Sequence, residues 1–271
     1  MELNDFLQYG FIQRALIAGS LIGILCSTLG VFLVLRRFSL IGDGLAHATF
    51  GSVALALLLK MSPLYVSIPL VMICSLGIQK LTERARLYGD AAIGVVSSLG
   101  IAGGVMLASI AGGFNVDLFS YLFGSILSIS KAEVIISIVL SIMVILTIIF
   151  YYNELLAITF DEDSAKASGI NTKYINTLFV LLTAVTVVLS MKVVGIMLIS
   201  ALIIFPAVTA LQIARSFKAV MFAASLTAIT SVVSGITLSF FLDLPTGATI
   251  VIINFIFFIS CLGYKRFVKA Q

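Results

Sequence analysis

The sequence predicts an all-α fold, a polytopic transmembrane helix bundle of eight or nine spans forming one domain over residues 1–271. Three observations carry this. Hydrophobic residues make up 61% of the 271 positions and charged residues only 10%, whereas soluble domains carry about a quarter charged residues and under half apolar ones. Mean hydropathy is +1.22. The apolar residues also fall in runs of about 20, the length that crosses a hydrocarbon layer about 30 Å thick.

Runs bounded by charge or by Gly and Pro clusters place spans at roughly 11–35, 39–59, 63–81, 91–111, 133–152, 174–191, 194–212, 219–241 and 247–263. The first follows an acidic start, MELNDFLQYG, that does not resemble a secretory leader. In the fourth, Gly94, Gly100, Gly103 and Gly104 suit close helix packing in lipid. Residues 117–130 read as a re-entrant or interfacial helix, and Met191-Lys192 as a tight turn between the sixth and seventh spans. Cys26, Cys74 and Cys261 sit inside apolar runs without paired spacing, as small packing residues rather than a disulfide framework.

The basic residues set an expected orientation. With nine crossings and the N-terminus outside, the inner connections collect twelve of the 16 Lys and Arg residues, leaving Arg14, Lys60, Lys131 and Lys192 outside. The C-terminus is then cytoplasmic. The net charge of +4 reflects anchoring at the inner leaflet of the lipid bilayer and needs no nucleic-acid partner.

The longest polar stretch, about 153–173, is placed inside by this topology. Asp161, Glu162 and Asp163 precede Ser164-Ala165-Lys166-Ala167, and carboxylates suit a helix N-terminus. Gly169 suits its stop. A short cytoplasmic helix is what a soluble motor subunit could grip, and an ordinary solvated loop is the other reading of the same composition. On the outer side Asp117 and Asp243 could attract an incoming cation or dock a delivery protein, or be polar loop tips and nothing more.

One constellation carries chemistry. His47 is the only histidine, and Asp43 precedes it by four residues, so on a helix both project from one face. If Arg37 marks the inner interface, a rise of about 1.5 Å per residue puts His47 roughly 15 Å deeper, near the membrane midplane. Ionisable groups at that depth are costly and line functional paths. A carboxylate and an imidazole one turn apart suit a borderline cation in transit, such as Zn²⁺ or Mn²⁺. A buried pair that only joins helices, or a proton relay, uses the same residues. With one histidine and no GxxxxGK[ST] loop, the chain is expected to be no enzyme, and any ATP hydrolysis to sit on another polypeptide.

The motif RRFSLIGDGLAHATFGSVALALLL resembles the second-helix motif of the metal-ion permeases of ABC transporters, the group importing zinc, manganese or iron(II). VDLFSYLFGSIL at 116–127, ASGI at 167–170, KVVGIMLISALIIFPAVTA at 192–210 and DLPTGA at 243–248 follow in the family's order. The resemblance implies a bacterial plasma-membrane permease that works as a pair, a homodimer, by alternating access. It implies a cytoplasmic ABC ATPase subunit and an extracytoplasmic metal-binding solute-binding protein as partners. It places Asp43 and His47 in the ion path and the segment Asp161, Glu162, Asp163, Ala167, Gly169 against the ATPase. No permanently bound cofactor is implied, only the transported divalent cation. GD-x-LAHA points to zinc over manganese, with a manganese or iron(II) permease and a proton-coupled secondary transporter as alternatives. Ser125 stands where zinc-type relatives often carry an acid after YLFG, so no role for that acid carries over.

Overall fold

The computed structural model describes residues 8–84, 88–113, 116–125 and 130–269. These form twelve α-helices: α1 Gly10–Leu35, α2 Ile41–Leu58, α3 Pro63–Arg84, α4 Gly89–Ile110, α5 Val116–Phe123, α6 Lys131–Phe150, α7 Tyr152–Phe160, α8 Glu162–Ala167, α9 Thr172–Ser190, α10 Ile199–Ile213, α11 Phe217–Leu242 and α12 Thr246–Lys269. Among the described residues, nine of the helical segments are long and apolar enough to cross a membrane, and they coincide with the nine expected runs. The short α5 begins where the re-entrant or interfacial piece is expected, and residues 126–129 lie outside the described residues.

The spans end where backbone chemistry stops them. At the end of α1 the amide of Arg37 bonds to Val34 O and that of Phe38 to Leu33 O. Arg37 adopts φ 56°. This is the Schellman arrangement with arginine in the left-handed position that usually goes to glycine. α2 ends the same way, with Lys60 at φ 55°. The tight connection after α9 runs through Met191 to Gly195, whose φ of 90° needs glycine.

Packing separates an enveloped centre from an apolar rim. α1 and α2 are two-thirds buried, whereas α3, α4 and α6 are mostly uncovered. On α6 the side chains of Ile135, Val139, Ile142, Leu146 and Ile149 all face outward. Such a face has no place in water and fits acyl chains. The core is filled by large side chains of the inner helices, including Phe32, Leu29, Leu45, Phe179 and Leu189.

Side-chain contacts identify the two ends of the bundle. At one end Glu133, at the start of α6, lies 3.2 Å from Lys192, after α9. Phe11, Ser125 and Asp243 border one cavity at that same end. At the other end Arg36 bonds to Thr159 and Asn176, and Gln79 to Thr177. Successive spans therefore run in alternating directions, as a nine-crossing chain must.

Candidate functional site

α2 positions Asp43 in its first turn and His47 one turn on. Asp43 Oδ2 and His47 Nε2 stand 3.5 Å apart. That is longer than a hydrogen bond of 2.7–3.2 Å, so the two groups are juxtaposed without being locked together. The Asp43 side chain is 49% exposed and that of His47 19%. His47 Nδ1 is buried and has no hydrogen-bond partner.

The burial pattern along α2 shows how the pair is presented. Between Ile41 and Ala56, every position of α2 is buried except Asp43, His47, Gly51 and Leu55. Their spacing of four traces one stripe along the helix. The apolar end of that stripe opens into a groove of about 310 Å³ between α2, α3 and α4, walled by Leu70, Cys74, Leu99 and Gly103. Asp43 and His47 are thus the polar part of a partly exposed line on α2, which α4 approaches closely at Gly51.

Glycine makes this envelope possible. A Cβ on Gly100 of α4 would stand 2.5 Å from the His47 carbonyl oxygen and 2.8 Å from Ala48 Cα. A Cβ on Gly51 of α2 would stand 2.8 Å from the Gly100 carbonyl oxygen. The helices touch backbone to backbone at the level of His47. Of the four α4 glycines expected to pack closely, Gly100 and Gly104 do so, while Gly94 and Gly103 have nothing within 4 Å of an added Cβ.

Among the described residues no three His, Cys, Asp or Glu side chains converge. One copy therefore offers one carboxylate and one imidazole. Asp243 caps α11 at φ 54° and lies exposed beside a cavity of about 390 Å³ that Ser125 also lines. It sits at the end of the bundle opposite the α1–α2 turn. Asp117 falls on α5, but its side chain lies outside the described residues.

The segment expected to form a short helix does so as α8. Asp161 is its N-cap, accepting from the Ser164 amide at 3.0 Å and from the Ser164 hydroxyl at 2.7 Å. These bonds hold the Asp161 carboxyl below its ordinary pKa. Gly169 terminates the helix at φ 86°. Ala165 alone is buried, while Glu162, Asp163 and Ala167 are exposed. Glu162 accepts from Asn176 Nδ2 at 2.9 Å.

Sequence reading did not single out Arg36, Asn176 or Thr159. Arg36 Nε donates to Thr159 Oγ1 at 3.0 Å and one terminal nitrogen to Asn176 Oδ1 at 2.9 Å. A paired arginine at a span end registers as a topology signal and hides these contacts. The available signal was Asn176, a polar amide inside an apolar run.

Known proteins resemble this chain along nearly all of it. It is 33% identical to the manganese transport system membrane protein MntC of Listeria innocua, over 96% of this chain and 93% of that protein. It is 32% identical to the high-affinity zinc uptake system membrane protein ZnuB of Haemophilus influenzae, over 93% and 96% respectively. Among solved structures, PsaBC of Streptococcus pneumoniae in complex with Fab superposes with a TM-score of 0.88 at 30% identity, covering 99% of this chain and 98% of the other. Residues 8–265 match the ABC 3 transport family, and the chain, a multi-pass membrane permease, belongs to that family.

Proposed function

We propose that the chain is the membrane-spanning subunit of an ATP-driven importer of divalent metal ions, in which two copies pass the ion between their Asp43–His47 stripes. The observation that carries this is the partly exposed pair Asp43 and His47 on a helix whose other positions from Ile41 to Ala56, apart from Gly51 and Leu55, are buried. A carboxylate and an imidazole facing hydrocarbon would be costly. Facing a second copy across a path, they become useful. Two copies supply two imidazoles and two carboxylates, enough for a four-coordinate ion, while one copy supplies a weak pair that can release it.

The expected partners follow from the same reading. A cytoplasmic ATPase grips α8 and supplies the free energy. A metal-binding protein outside delivers the ion to the end bearing Asp243. The positive-inside count places the N-terminus outside and the Arg36 end in the cytoplasm. Zinc is the cargo that the GDGLAHA motif favours, and the mixed nitrogen and oxygen donors suit it. Manganese is the competing cargo, since relatives named for manganese and for zinc match at 33% and 32% identity.

The test is uptake into vesicles holding the permease with its ATPase and binding protein. Zinc should enter only with ATP, and manganese more slowly. Asp43→Ala and His47→Ala should each abolish uptake without reducing assembly. Normal uptake by both variants would overturn the ion path. Uptake without ATP that collapses with an uncoupler would replace the importer by a proton-coupled carrier.

A further inference from the structure

One side chain, at the end of α1 just before the helix that bears Asp43 and His47, is bonded to the α7–α8 segment. Arg36 caps the end of α1. Its guanidinium reaches Thr159 of α7 at 3.0 Å, Asn176 of α9 at 2.9 Å and the Leu155 carbonyl oxygen at 3.4 Å. It also lies 4.7 Å over the Phe179 ring. Asn176 in turn donates to Glu162, the first residue of α8, at 2.9 Å. A path of polar contacts thus runs from α8 through Asn176 to Arg36.

From Arg36 to Asp43 the chain makes a short turn closed by backbone hydrogen bonds. The turn between α1 and α2 is closed by amide bonds from Arg37, Phe38, Ile41, Gly42 and Gly44. Ile41 and Leu45 are fully buried beyond it. This turn is a short route by which a displacement of the Arg36 backbone would reach the first turn of α2. Next to the guanidinium lies a cavity of about 490 Å³ bordered by Arg37, Gln79, Glu83 and Glu162, which leaves α7 and α8 space to shift against the bundle.

We propose that Arg36 is the positioning residue that transmits movement of the α7–α8 segment to Asp43 and His47, so that hydrolysis on the partner ATPase and passage of the ion remain coupled. This rests on the importer reading above. The chemistry favours arginine: a planar fork of five donors serves several fixed acceptors at once, which a lysine ammonium on a flexible stem does not. Burial pushes the Arg36 pKa down to about 10, against the opposing pull of Glu162. The group stays charged at neutral pH.

The experiment measures ATP hydrolysis and zinc uptake on the same vesicles containing permease, ATPase and binding protein. In Arg36→Lys, Arg36→Gln and Asn176→Leu, hydrolysis should persist while zinc moved per ATP hydrolysed falls about tenfold, within the usual range of coupling between sites. Combining Arg36→Gln with Asn176→Leu should cost no more than either alone, as for two members of one path. A merely structural role would lower hydrolysis, uptake and assembly in parallel and leave their ratio unchanged; that result overturns the proposal. So does an additive double variant. If Arg36 variants do not assemble, Asn176→Leu alone decides by the same ratio. Absence of ATP-driven uptake by the unsubstituted complex would instead sink the importer reading, and this inference with it.

Discussion

Gly100 of α4 packs directly on the His47 carbonyl of α2, so close that an added Cβ would meet that oxygen at 2.5 Å. The register of the two helices at the proposed ion path is therefore set by the absence of a side chain. Gly100→Val would wedge α2 away from α4 at His47. Overpacking of this kind costs about 1–3 kcal/mol, and the displacement falls on the functional turn. The variant should lose uptake and show a lower thermal midpoint in detergent. Gly94→Ala, where nothing lies within 4 Å of the new methyl, should leave both near those of the unsubstituted protein.

Glu133 serves two partners at the opposite end of the bundle. One carboxylate oxygen accepts from the Ser130 amide at 2.9 Å and completes a capping box. The other lies 3.2 Å from Lys192 Nζ, which also sits 4.6 Å over the Tyr121 ring. Glu133→Gln should destabilise the protein by about 1–3 kcal/mol, as expected for loss of a hydrogen bond to a charged group in a shielded site. Adding Lys192→Met should recover part of that loss, because an ammonium that has lost its counter-charge and keeps only Tyr121 as a partner is then gone. Thermal midpoints of the two single variants and the double variant check this.

The same pair makes a prediction about alkaline pH. Burial pulls the Lys192 pKa down, but Tyr121 and Glu133 outweigh it and leave the value above the ordinary 10.5. A folded-state pKa raised in this way contributes stability that is complete below 10.5 and is lost as pH climbs through the higher folded value. Stability measured from pH 9 upward should fall more steeply in the unsubstituted protein than in Lys192→Met. Equal slopes would place the alkaline titration elsewhere.

The spans were legible because hydrocarbon length and backbone satisfaction leave few alternatives. The nine runs, the acidic start of α8 and the Gly169 stop need only local chemistry to be read. What sequence did not give was the facing of each helix. Gly94 and Gly103 look like Gly100 and Gly104 in one dimension, yet two point into open space and two hold helices together. On α2 the pair Asp43 and His47 marks one face in the sequence, but nothing in the composition shows that this face continues partly exposed through Gly51 and Leu55; that emerges only when α4 and its other neighbours are in place. Arg36 was hidden for a different reason. Its partners Thr159 and Asn176 lie more than a hundred residues away along the chain, and no local pattern announces them.

Asp161 ties the shape of α8 to acidity. Its carboxylate is held below the ordinary value of 3.8, first by the Ser164 amide and then by the Ser164 hydroxyl. A carboxyl with a lowered folded-state pKa contributes stability that is present above 3.8 and lost as pH falls through the folded value. The cap should therefore persist at neutral pH and release only in acid. Asp161→Asn keeps an acceptor at the N-cap, whereas Asp161→Ala removes it. Amide exchange across 162–168 should be near that of the unsubstituted protein for the Asn variant and severalfold faster for the Ala variant. If α8 is the element the ATPase grips, Asp161→Ala should also weaken capture of the purified ATPase, and Asp161→Asn should not. Fast exchange in Asp161→Ala with undiminished capture would mean that the ATPase holds the permease by another surface.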